Sequence, residues 1–88
     1  MSDEKLLIDG EITRGNKAKQ ILEEPLFVES VQTVRTELMN EWLNSDEKNS
    51  EQRENIWKMR RMLEVVLIQL QSVMETGKLA KQKQSENN

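Results

Sequence analysis

The chain has 88 residues, 35% of them hydrophobic and 33% charged, with a formal net charge of -3 at pH 7 and neither cysteine nor histidine. That length sets one domain as the ceiling. The missing residue types exclude a disulfide framework, thiolate chemistry and histidine acid–base or metal chemistry. The mildly acidic balance argues against a basic whole-surface nucleic-acid binder.

Residues 1–11 read as an acidic, flexible arm. Leu6, Leu7 and Ile8 form a short apolar triplet, and Asp9-Gly10 is a turn signal. The arm is too acidic and its triplet too short for a secretory signal. No apolar run approaches the ~20 residues of a membrane span, so no membrane partner is expected. A single helical domain is expected over 12–77, followed by a flexible, lysine-containing tail over 78–88.

The first helix is expected from Thr13 to Glu24, with Thr13 as its N-cap and Gly15 weakening its first turn. Ala18, Ile21 and Leu22 share one face. Pro25 ends this helix and suits the first turn of the next. The second helix runs from Pro25 to Leu43, with Phe27, Val31, Val34, Leu38 and Trp42 on one side. Asn44 to Asn49 holds no apolar residue and makes a helix–helix loop. Asn49 then caps a third helix, with Gln52 completing a pattern like a capping box.

The third helix, Asn49 to Gly77, organises the chain. Ile56, Met59, Leu63, Val66, Leu70 and Val73 alternate three and four residues apart, as in a helix seam. Trp57, Met62, Leu67, Ile68 and Met74 widen it beyond what one narrow contact would bury. Gly77 reads as its C-cap. The short loop makes the second and third helices antiparallel neighbours. The second helix is too short to cover the end of the third, and the first can fold back over that end.

The fold class is therefore all-α: a short helix followed by a long antiparallel helical hairpin, within an oligomeric helical bundle. Leu63, Leu67, Leu70, Val73 and Met74 are the expected oligomer interface, and a homo-oligomer the expected state. Trp42 and Trp57 sit near the hairpin tip, where they are expected to plug the core, the alternative being an exposed aromatic anchor for a partner. Arg53, Lys58, Arg60 and Arg61 form one basic cluster, and Lys78, Lys81 and Lys83 another. They are nucleic-acid contact candidates, although Glu51, Glu54 and Glu64 are interspersed with the first cluster and suit a solvated helix face. The carboxylate pairs Glu23-Glu24 and Asp46-Glu47 lie at a helix break and in a polar loop, not in a setting that tunes a pKa. Asp46, Glu47 and Asn49 lack EF-hand spacing, and the glycines form no phosphate loop. No catalytic residue, metal or cofactor is expected, and the chain reads as a non-enzyme.

The stretch Lys17-Ala18-Lys19-Gln20-Ile21-Leu22-Glu23-Glu24-Pro25-Leu26-Phe27, then Gln52-Arg53-Glu54-Asn55-Ile56-Trp57 and Glu75-Thr76-Gly77-Lys78-Leu79-Ala80, resembles small proteins of tailed bacteriophages encoded among head-assembly and DNA-packaging genes. The resemblance spans about three quarters of the chain and consists of helix punctuation and core positions, with no catalytic signature. It implies an accessory role in virion assembly or DNA packaging, phage structural or packaging proteins as partners, and a place in the host cytoplasm or the virion. Two other functions are compatible with the pattern. One is an oligomeric DNA-binding protein like a small terminase, although no helix-turn-helix with a basic recognition helix is present. The other is a small regulator that binds and inhibits a host protein.

Overall fold

The computed structural model describes residues 2–86. They form three helices in the order α1 (Ser2–Glu23), α2 (Pro25–Leu43) and α3 (Ser50–Glu86). The expected all-α class is observed, with a long helix packing on shorter ones. The bounds of α2 and of the Asn44–Asn49 loop are those read from the sequence.

α1 departs from expectation. It begins at Ser2, well before Thr13, and spans 22 residues. Neither the acidic start nor Asp9-Gly10 interrupts it. Thr13 does not cap; its Oγ1 donates back to the Asp9 carbonyl oxygen at 2.9 Å, inside the helix. The physical reason is tertiary. Ile8 is buried, so the first turns are held by packing that outweighs a local turn preference. The other end of the chain differs in the same way. α3 continues through Gly77 to Glu86, and Gly77 keeps a negative φ rather than adopting the left-handed cap conformation.

One residue separates α1 from α2. Glu24 is extended, with φ -67° and ψ 123°, as expected for a residue preceding proline. Its carboxylate accepts a hydrogen bond from the Phe27 backbone N–H at 2.8 Å and caps α2. The α2–α3 loop is equally well tied. The Lys48 N–H donates to Asp46 Oδ1 and the Gln52 N–H to Asn49 Oδ1, so Asn49 caps α3 as its sequence position indicates.

α1 makes the main helix–helix contact, with the C-terminal half of α3, and α2 makes a smaller one with the N-terminal half. Both run antiparallel to α3. At 1.5 Å rise per residue the 37 residues of α3 span about 55 Å, close to the 60 Å length of the molecule. The other extents are 25 and 16 Å. The chain is thus a ribbon: α3 along one edge, α1 and α2 end to end along the other. Ile56, Leu67 and Gly77 of α3 are buried in this pairing, and Leu63, Leu70 and Met74 are half-buried.

Two glycines set the closeness of the α1–α3 contact. A Cβ on Gly15 would stand 2.7 Å from Gly77 Cα, and one on Gly77 would stand 2.8 Å from Gly15 Cα and 3.0 Å from the Glu11 carbonyl oxygen. Ala18 and Ala80, three residues beyond each glycine, are each 3% exposed. Small residues thus let backbone meet backbone. Polar pairs flank the contact: Lys81 Nζ donates to Asn16 Oδ1 at 2.9 Å, and Lys83 pairs with Glu4 at 3.4 Å.

Candidate interaction surface

A ribbon covers each helix on one side only. No large side chain among the described residues is fully buried. The chain exposes 7124 Å² of surface, against roughly 5,400 Å² for a folded monomer of its mass. Its radius of gyration is 18.7 Å, against about 12 Å for a compact domain of this length. The surplus surface carries apolar side chains on all three helices.

The seam expected on α3 is divided by the structure. Ile56, Leu63 and Leu70 turn toward the partner helices, whereas Met59 and Val66 are exposed. Of the residues expected to form an oligomer interface, Leu67 is buried within the chain, and Leu63, Leu70, Val73 and Met74 are half-buried. α1 and α2 already occupy most of that strip. Open apolar side chains flank it, with Met59, Met62 and Val66 on one side and Ile68 on the other, and Met62 is 67% exposed. The sequence carries the signal for this surplus: residues 62–70 are apolar almost all round, more than one neighbour can cover.

Near the hairpin tip α2 stands off from α3 and leaves a groove of about 510 Å³. Leu38, Met39, Trp42, Ile56, Trp57 and Arg60 are among its lining residues. Trp42 and Trp57 do not plug the core as expected; they are 38% and 60% exposed. The reason is that the tip is only two helices thick, so a ring has no second layer to enter. Arg53 covers part of Trp42 instead, with its guanidinium carbon 4.8 Å from the ring centroid. Its Nε donates to Ser45 Oγ at 2.9 Å, and Ser45 Oγ donates to the Trp42 carbonyl oxygen at 2.6 Å. Arg35 crosses between α2 and α3, with Nε and Nη2 both donating to Glu64 Oε1, at 3.1 and 2.9 Å.

Most of the cations singled out in the sequence have partners within the chain. Lys58 pairs with Glu54 and Lys78 with Glu75 along α3, Lys81 and Lys83 bind residues of α1, and Arg53 is stacked on Trp42. Arg60 lines the groove and Arg61 is exposed. Among the described residues no group of three His, Cys, Asp or Glu could hold a metal ion, and no buried side-chain nitrogen or oxygen lacks a hydrogen-bond partner. No helix of the described residues is long and apolar enough to cross a membrane. No family model, curated protein or solved structure matches the chain.

Proposed function

We propose that this chain is a non-catalytic assembly protein that acts by self-association and by helix-mediated contacts with other proteins. The observation that carries this reading is the apolar surface left open on a two-helix ribbon. A monomer of this size exposing large apolar side chains along its whole length has a surface built for contact. The setting follows from the sequence resemblance to small tailed-phage proteins: virion assembly or DNA packaging, in the host cytoplasm or on the particle.

The test is the mass of the purified chain in solution by light scattering, alone and with a short DNA duplex at low salt. A defined oligomer that ignores DNA supports the assembly reading. An oligomer that shifts onto DNA, and releases it steeply as salt rises, replaces it with a packaging protein that holds DNA. A monomer at tens of micromolar refutes self-association.

A further inference from the structure

The groove at the hairpin tip has a composition of its own. Leu38 and Ile56 line it and are buried at the α2–α3 contact, which gives it an apolar floor. Met39, Trp42 and Trp57 line it too and stay exposed. Arg35 and Arg60 are its charged lining residues, and no carboxylate lines it. Glu64 takes the Arg35 guanidinium. Arg60 is exposed and makes no ion pair among the described residues.

We infer that this groove receives one helix of a partner protein, an amphipathic helix with an apolar face and acidic flanks. The inference rests on the helix-mediated contacts proposed above and names their site and chemistry. Shape selects a helix. The α2 side of the groove runs from Gln32 to Trp42, about 15 Å or three helical turns. A helix about 10 Å across, sunk to half its depth over that length, displaces about 600 Å³. The groove offers about 510 Å³. α1 lies along the other half of α3, so the tip has two helices, and a third would close a layer over them. A small molecule in a groove open to solvent leaves one side in water, whereas an amphipathic helix turns a polar side to it. Charge selects an acidic helix. A carboxylate beside Arg60 meets an unpaired guanidinium and no lining carboxylate. Tryptophan and arginine are also the side chains that most often carry the energy of such contacts. A phosphate backbone is a poorer match, because it calls for several cations, and Arg60 is the one unpaired cation lining the groove among the described residues.

The test uses the full chain and two synthetic helical peptides of about 18 residues, both free of tryptophan. In each, leucine recurs at steps of three and four; glutamate flanks the leucines in one peptide and lysine in the other. The two tryptophans of the chain both line the groove, so their emission reports its occupancy. The glutamate peptide is expected to bind saturably with a blue shift, about tenfold or more tighter than the lysine peptide. Arg60→Glu is expected to reverse that order. Trp57→Ala, followed by calorimetry, is expected to weaken the glutamate peptide by about tenfold or more. Both positions are exposed, and circular dichroism checks that the variants keep their helices. If Arg60→Glu loses them, Arg60→Gln replaces it and is expected to bring the two peptides to similar affinities. Leu79→Glu, at the other end of α3, is expected to bind as the wild type does. No saturable binding, or binding that ignores both Arg60→Glu and Trp57→Ala, overturns the inference, while self-association is still decided separately by the mass in solution. A single-stranded oligonucleotide that binds in place of the peptide, with the same dependence on Arg60, overturns it in favour of nucleic acid. Loss of a homo-oligomer in Trp57→Ala, with no peptide bound by the wild type, overturns it in favour of a second copy.

Discussion

Gly15 and Gly77 give the sharpest test of how α1 and α3 meet. Glycine in a helix interior is a poor helix former, and replacing it with alanine ordinarily gains about 1 kcal/mol. Gly10, in the same helix, has nothing within 4 Å of where a Cβ would stand. Gly10→Ala should therefore collect the whole gain, and raise the melting temperature by roughly 4–8 °C for a domain of this size. Gly15→Ala puts a methyl group 2.7 Å from Gly77 Cα and 3.3 Å from both Gly77 N and the Val73 carbonyl oxygen. Carbon atoms rest about 3.5–4.0 Å apart, so the helices must part by up to about 1 Å. The obstacle is backbone, which cannot rotate away as a side chain would. Overpacking of this kind costs about 1–3 kcal/mol, and a gap of that size forfeits a quarter to a half of the dispersion energy of the contacts it opens. Net of the propensity gain, Gly15→Ala and Gly77→Ala should each destabilise by about 1–2 kcal/mol. The double variant should cost less than the sum, because the first methyl group has already parted the helices for the second. Urea and thermal unfolding followed by circular dichroism, at one fixed protein concentration, measure all four variants. Stabilisation of Gly15→Ala or Gly77→Ala equal to that of Gly10→Ala would refute the close α1–α3 crossing.

Other perturbations are smaller. Asn49→Ala removes the side-chain acceptor of the Gln52 N–H and should cost about 1 kcal/mol in urea unfolding. Glu24→Ala removes the acceptor of the Phe27 N–H, and its cost should be of the same order. A double-mutant cycle on Arg35 and Glu64 should return a coupling of about 0.2–1 kcal/mol, since both side chains remain partly exposed. Arg53→Ala uncovers one face of Trp42 and should shift tryptophan emission to the red, with a stability loss of about 0.5–1 kcal/mol.

Much of the fold is legible in the residues because its punctuation is chemical. Pro25, the polar Asn44–Asn49 loop and the Asn49 cap act locally, and α2 and the start of α3 lie where they dictate. The two ends of the chain depart from their local signals because of packing: Ile8 is buried at one end, and Gly77 meets Gly15 at the other. Glycine reads as a breaker when only its neighbours in sequence are considered. Gly77 instead meets Gly15 of α1 backbone to backbone, within a helix that continues on both sides of it. A signal for this exists: Gly15-x-x-Ala18 and Gly77-x-x-Ala80 repeat the same small-residue spacing on two segments. The interaction surface was half legible. That α3 is too apolar for a single neighbour follows from its composition. Which side stays open depends on how α1 and α2 lie along α3, which the sequence pattern of α3 alone does not specify.

The same contact explains why the fold leaves a surface unfilled. Backbone meeting backbone through Gly15, Ala18, Gly77 and Ala80 draws two helices close while burying little apolar side-chain area. Larger side chains elsewhere on α3, Met59, Met62 and Val66 among them, stay exposed. A partner that covered those side chains would bury apolar surface that the ribbon leaves exposed. Folding and assembly are then linked: a partner that binds the folded ribbon alone adds its binding free energy to the stability of α3. A melting temperature that climbs with protein concentration is the expected signature, and one that is flat across a hundredfold dilution would mean that the ribbon is stable alone and its open face serves a different partner.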